Sequence, residues 1–247
     1  MPQSSDPASM SPPAVDVESL EFGWDSATLL RIDRLQVAAN ERVFLSGPSG
    51  SGKSTLLGLI AGVLLPRSGV VRVAGTAVQT LPPGERDRFR GAHIGFIFQM
   101  FNLIPYLDVL GNVLLPLRFS GERRTRLGDV PAKEEAQRLL AALGIAELAR
   151  SNRSVTRLSM GQQQRVAAVR ALIGRPGLLI ADEPTSSLDA GARSDFLRLL
   201  MAECRAGGSA LLFVSHDVSL ATLFDRRVAL ADINHVAGAE APVPQWQ

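Results

Sequence analysis

Three glycines, four hydroxyls and a lysine stand together at Gly47-Pro48-Ser49-Gly50-Ser51-Gly52-Lys53-Ser54-Thr55. Their spacing is that of the phosphate-binding loop G-x-x-x-x-G-K-[ST]. Glycines let the backbone wrap closely enough for its N–H groups to surround a phosphate. A helix opening at Gly52 adds the positive end of its dipole. Lys53 is predicted to reach the β- and γ-phosphates of a nucleotide, and the Ser54 hydroxyl to ligate Mg²⁺. A second set follows at Leu178-Leu179-Ile180-Ala181-Asp182-Glu183, an apolar run ending in adjacent carboxylates. There Asp182 could hold Mg²⁺, directly or through water, and Glu183 could polarise the attacking water as general base. Alone, such a string is as readily a strand ending at a solvated turn. Beside the phosphate loop it reads as the other half of a nucleotide-hydrolysing site.

The elements that must position these groups follow from pattern. Arg42 to Ser46 is a short apolar run leading into the loop, with a helix expected from Gly52 to about Leu64. Val15 to Val37 alternates and carries turn residues, which suggests short strands; Val70 to Val73 and Ile94 to Phe98 are further candidates. The stretch from about 100 to 173 reads as mainly helical. Within it Ala136, Leu139, Leu140 and Leu143 form one apolar face. Two buried-type strands, Leu178 to Ala181 and Ala210 to Val214, flank a helix around Ala190 to Glu203. That alternation implies an α/β fold with a parallel sheet and helices on its faces.

Composition narrows the function. The 247 residues are 46% hydrophobic and 20% charged, enough for one large domain and unlike a disordered chain. A formal net charge of +2 is too small to argue for nucleic acid. One cysteine, Cys204, rules out an internal disulfide and fits a reducing compartment. Residues 1–14 are Pro/Ser-rich without a basic start or apolar stretch and read as a disordered tail; residues 237–247 read as a loose one. The longest apolar run, Leu56 to Leu65, is about half of what a bilayer crossing needs. Any membrane connection is expected to come from a partner.

A phosphate loop names a nucleotide and not a task. Leu158-Ser159-Met160-Gly161-Gln162-Gln163-Gln164-Arg165 closely resembles the LSGGQ signature of ATP-binding cassette proteins. The order of other motifs is similar too. Gln99 follows Ile94 to Phe98 as the family's Q-loop glutamine does, Ser187-Leu188-Asp189 follows Glu183 as its D-loop does, and His216 follows Ala210 to Val214 as its switch histidine does. The resemblance covers about Val15 to Asn234. It implies a P-loop NTPase (RecA-like) core with a parallel sheet, an N-terminal antiparallel β subdomain and an inserted helical subdomain at about 100–173, all within 15–236. It further implies ATP and Mg²⁺ as cofactors, with Ser54, Gln99 and Asp182 around the metal. Glu183, His216 and Gln99 would be catalytic, His216 contacting the γ-phosphate. Two copies would lie head to tail, each signature (Ser159, Met160, Gly161, Gln162) capping the ATP in the other's loop. From the residues alone, Ser159 can cap the helix that begins there, and Gly161 allows close backbone approach. Met160 departs from the usual Gly-Gly; either it fills a gap in the packing or it alters the interface.

Adenine needs a flat partner, and Trp24 is preferred to Phe22, the two lying on one face of a strand under period-2 alternation. Met100 to Leu107 is apolar for a loop. It is either buried in the helical region or lines a groove for a helix of an integral-membrane permease. Phe98 to Pro105 and Asn112 to Leu117 resemble the branch of lipoprotein-releasing, macrolide-exporting and cell-division cassettes. The implied place is the cytoplasmic face of the inner membrane, peripheral through the permease, with no nucleic acid as partner. The alternative, a cassette ATPase acting on DNA or ribosomes, lacks support: no sustained heptads lie between Gln99 and Ser159, there is one cassette, and one cysteine cannot build a zinc cluster. A nucleotide-sensing scaffold without turnover would be expected to lack Glu183 or His216.

Overall fold

The computed structural model describes residues 12–150, 153–186 and 188–236. Two sheets share the work. The first is antiparallel, from β1 (Val15–Phe22), β2 (Leu30–Val37), β4 (Ser68–Val73) and β5 (Thr76–Ala77), in the order β2-β1-β4-β5. Along β1 the residues Val15, Val17, Leu20 and Phe22 are buried. Strict alternation would break between Val17 and Leu20. The chain corrects it with a bulge at Ser19, at φ 48°, where the register against β4 shifts. A side chain on the facing Gly69 would strike the Ser19 carbonyl at 2.2 Å, so that position accepts only glycine.

The second sheet is parallel throughout and holds β3 (Arg42–Ser46), β6 (Ile94–Ile97), β7 (Leu178–Asp182), β8 (Ala210–Val214) and β9 (Arg226–Ala229), in the order β6-β7-β8-β3-β9. Its central strands are covered on both faces. Phe44, Ile97, Leu179, Ala181, Leu211 and Phe213 point into one core, and Val43, Leu45, Leu178, Ile180, Leu212 and Val214 into the other. Continuous apolar runs in β7 and β8 are what two-sided burial requires. Helices α1 (Lys53–Ile60), α2 (Pro83–His93), α3 (Val109–Phe119), α4 (Gly121–Thr125), α5 (Ala132–Ala142), α6 (Met160–Leu172), α7 (Ala190–Gly207) and α8 (Leu230–Ile233) complete the described fold, an α/β P-loop NTPase. The face of Ala136, Leu139, Leu140 and Leu143 is buried as the sequence spacing predicts.

Helix α2 and strands β5 and β9 are among the elements that escaped the sequence pattern. Helix α2 buries only Ala92 and has no apolar face. Strand β9 buries Val228 alone, and β5 is two residues long. The tails expected at 1–14 and 237–247 lie outside the described residues except for 12–14. Of these, Ala14 is buried, and its carbonyl accepts a hydrogen bond from the Ala74 N–H at 3.2 Å.

A buried guanidinium fastens the helices to the parallel sheet. Arg123 in α4 donates to the carbonyls of Gly91 (2.8 Å), Ile94 (2.6 Å), Ala171 (3.2 Å) and Ile173 (2.9 Å). Burial, with Arg126 nearby, pushes its pKa down to about 10, so it remains charged at neutral pH. These carbonyls come from the last turn of α2, the start of β6 and the end of α6, segments that no local pattern would bring to one side chain. Arg123→Met keeps the volume and leaves the carbonyls unpaired, at about 1–3 kcal/mol for each group left unsatisfied. A loss of at least about 3 kcal/mol in urea unfolding, with an unchanged m-value, is expected.

Candidate functional site

Parallel strands send their C-terminal ends to one edge, and in such sheets ligands bind outside that edge. Here the phosphate loop leaves β3, Asp182 closes β7 with Glu183 beside it, His216 comes two residues after β8, and Gln99 two residues after β6. Ile97 pairs with Ala181, so Gln99 and Glu183 stand at matched steps beyond the edge. Every one of these groups except the signature and Trp24 is thus placed by sheet topology alone.

In the loop, Gly50 and Gly52 take φ 76° and 97°, conformations that side chains rarely adopt. Gly52 caps α1 without a side-chain hydrogen bond, which leaves the first N–H groups of the helix turned toward the loop. The Lys53 ammonium donates to the carbonyls of Gly47 (3.0 Å) and Pro48 (2.8 Å), with no carboxylate bonded to it among the described residues. Pro48, Ser49 and Gly50 are exposed, while Thr55 is buried at the root of α1. The Ser51 hydroxyl is buried without a hydrogen-bond partner among the described residues, an acceptor and donor still unused at the heart of the loop.

The Ser54 hydroxyl donates to Asp182 Oδ2 at 2.9 Å, joining the two halves of the site. Burial raises the Asp182 pKa and the neighbouring Glu183 charge adds to it, against the Ser54 hydrogen bond and Lys53. A carboxylate penalised in this way gains most from a cation. Among the described residues no cluster of three His, Cys, Asp or Glu side chains could hold a metal unaided. A cation between Ser54 and Asp182 would need phosphate oxygens or water as further ligands, and Mg²⁺ accepts that set. The residues present therefore fit both a nucleotide and its metal.

Glu183 sits at φ 43°, uncommon for a non-glycine residue, with its N–H bonded to the Val214 carbonyl at 2.9 Å. Its Oε2 lies 3.2 Å from His216 Nδ1. The two line a cleft of ≈ 360 Å³ with Thr185, Ser186, Arg193, Ser215 and Asp217. Arg193 of α7 pairs with Asp217 and donates to the Leu188 carbonyl at 3.1 Å, so one guanidinium holds the segments after both β7 and β8. Asp189 caps α7 through the Ala192 N–H at 2.9 Å, and Leu188 packs on the core. Ser187 lies outside the described residues. A larger concavity of ≈ 670 Å³ lies between β2 and β9, lined by Arg34, Leu35, Arg226 and Val228, and contains none of these groups.

The signature forms a capping box. Ser159 Oγ accepts from the Gln162 N–H at 3.3 Å, and Gln162 Oε1 accepts from the Ser159 N–H at 3.1 Å. Ser159 and Met160 are exposed at the start of α6. At 52% exposure Met160 fills no gap within the chain, which removes the packing explanation for its presence.

Trp24 lies past the end of β1, in the turn, rather than on a shared strand face with Phe22. Phe22 is 6% exposed and meets Trp24 edge-on at 5.2 Å, so only the half-buried Trp24 has surface to offer a base. The apolar loop after Gln99 divides residue by residue. Phe101 is 3% exposed, whereas Met100 and Tyr106 are 79% and 85% exposed. Sequence reading missed what fixes this loop. Arg170 of α6 donates to the carbonyls of Phe101 and Asn102 (2.6 Å each), and the buried Asn112 amide bonds the Ile104 N–H at 2.7 Å and its carbonyl at 3.0 Å. Arg170 has no local signal, since it acts across the fold, whereas Asn112 reaches back only to the loop just before its own helix.

Comparison with known proteins agrees with this geometry. The sequence matches the ABC transporter family over residues 30–186. It is 40% identical to the lipoprotein-releasing system ATP-binding protein LolD 2 of Rhodospirillum rubrum, across 90% of this chain and 96% of that protein. It is 38% identical to the macrolide export ATP-binding/permease protein MacB of Syntrophobacter fumaroxidans, across 92% of this chain but only 32% of that one. A dimeric ATP-binding cassette, MJ0796, solved in a post-hydrolysis state with ADP and Pi, superposes with a TM-score of 0.70 at 34% identity, covering 87% of this chain and 93% of that one.

Proposed function

This chain belongs to the ABC transporter ATPase family and hydrolyses ATP, and from that premise we propose that it works as a head-to-tail pair energising a separate membrane permease of the lipoprotein-release or export type. The observation that carries the reading is the division of phosphate-binding equipment. The loop, Asp182, Glu183, His216 and Gln99 share one sheet edge, while a further helix start suited to an anion, at Ser159, is exposed, its side chain bonded among the described residues within its own cap. A second copy supplies the nucleotide that this helix start would meet. The dimeric MJ0796 cassette supports that arrangement.

Within each copy the roles divide by chemistry. Residues 47–55 cradle the phosphates, Lys53 exchanges its two carbonyl partners for β- and γ-phosphate oxygens, and Trp24 stacks on adenine. Ser54 and Asp182 hold Mg²⁺, with Gln99 reaching the metal and the attacking water. Mg²⁺ held there would supply positive charge to the phosphates. Glu183 takes the proton of the attacking water, and His216, held beside it, contacts the γ-phosphate. Ser159, Met160, Gly161 and Gln162 act on the partner's ATP, and Ser187, Leu188 and Asp189 line the shared boundary.

No described helix is long and apolar enough to cross a membrane. The MacB relative's name joins ATP-binding and permease functions, and this chain covers 32% of that protein's length. A separate permease would place this protein peripherally at the cytoplasmic face of the inner membrane. Met100 and Tyr106, exposed on a loop anchored by Arg170 and Asn112 next to Gln99, offer the contact. Tyr106→Glu should lower co-purification of the permease from detergent at least about tenfold while leaving the isolated ATPase unchanged, a cost of about 1.4 kcal/mol at the contact. Equal loss of both would remove this loop as the docking surface. Phe101 does not serve in this test, because a charge there would be buried.

A further inference from the structure

Gln164 is fully buried, and neither its Oε1 nor its Nε2 has a hydrogen-bond partner among the described residues. Burying an amide in that condition costs about 1–3 kcal/mol. A leucine would fill the same volume at no such cost, so packing does not account for glutamine here.

Its place in the fold gives the amide a use. At 3.6 residues per turn, Gly161, Gln164, Ala168 and Ala171 form one strip of α6. At one end of that strip, a β-carbon built on Gly95 of β6 would run into the Ala171 carbonyl at 2.3 Å. At the other end, a β-carbon on Gly161 would touch Leu188, in the segment that leads from β7 to α7, at 3.7 Å. The helix therefore runs opposite to β6 and β7, along the sheet, with its start at the edge where Gln99, Asp182 and Glu183 emerge. Gln164 lies about 10 Å along the axis from Ala171, beneath that edge. It is the polar member of a strip otherwise made of glycine and alanine.

We propose that Gln164 is a positioning residue for hydrolysis: its amide bonds the backbone of the turns carrying Gln99 and Glu183 when those turns close on ATP. The helix that begins at Ser159 is thereby tied to the hydrolytic edge of its own chain. The unmet hydrogen-bonding capacity then favours the closed arrangement, because only there are both amide atoms satisfied. The proposal rests on Glu183 being the base.

The test uses the full chain with Gln164→Leu and Gln164→Met, which remove the polar atoms at nearly constant volume, and Glu183→Gln in the same assay. The expected result is an unchanged or raised melting temperature, a KM for ATP within about twofold of wild type, and a kcat lowered about tenfold or more. A kcat within twofold of wild type in both variants, with Glu183→Gln inactive, overturns the role of Gln164 alone and leaves an amide served by an internal water. A lowered melting temperature with KM and kcat changed together, or failure of both variants to fold, overturns it too, since that marks a residue of structure only. Retained turnover in Glu183→Gln would remove the assignment of the base and this proposal with it.

Discussion

Glu183→Gln is expected to bind ATP as the wild type does, to lose roughly 10²–10⁴-fold in turnover, and to elute as a dimer when ATP is present. The substitution keeps the shape of the side chain and the backbone bond from the Glu183 N–H to the Val214 carbonyl, so the turn at φ 43° is retained. What it removes is the capacity to take a proton. Lys53, Ser54 and Asp182, which would hold the triphosphate, are untouched. With hydrolysis blocked, ATP shared between one copy's loop and the other's Ser159 in the proposed pair would stay intact, and the pair should persist. Size-exclusion chromatography with and without ATP, beside a phosphate-release assay, reads both effects. Near-normal turnover would exclude Glu183 as the base. A dead enzyme that stays monomeric with ATP would instead remove the head-to-tail pair.

How much of this was visible in the amino-acid order depends on how local each requirement is. The phosphate loop was legible because its conformation demands glycines at fixed steps, and Gly50 and Gly52 do adopt positive φ. The capping box of Ser159 and Gln162 was legible in part, since a cap is a contact between residues three apart. Strands β7 and β8 announced themselves by unbroken apolar runs. The loop after Gln99 did not: with Phe101 and Asn102 both at positive φ, neither a period of two nor of 3.6 applies, and inward Phe101 could not be told from outward Met100. The pairing of His216 with Glu183 at 3.2 Å depends on β7 and β8 being neighbours, a matter of strand order that no local pattern records. Arg123, Arg170 and Arg193 were invisible for the same reason. Each arginine reads as a surface charge until the carbonyls it fastens are folded around it.

Lys53→Ala should weaken ATP binding about 10–100-fold or more, since a hydrogen bond to a charged group is worth about 1.5–3 kcal/mol and this ammonium would make more than one. The ammonium is already placed at the mouth of the loop by the carbonyls of Gly47 and Pro48, at 3.0 and 2.8 Å. Binding therefore requires it to change partners rather than to travel. Removing it has two consequences that must be separated. The phosphates lose their cation, and the two carbonyls lose their donor, which could loosen the loop by itself. Calorimetry with ATP and with adenosine distinguishes them: loss of the cation weakens ATP alone, whereas a collapsed loop would also disturb the stacking at Trp24 and weaken both. Unchanged ATP affinity would remove Lys53 from the site. A loss confined to ATP, with a melting temperature near that of wild type, is the outcome expected from a lysine whose work is electrostatic.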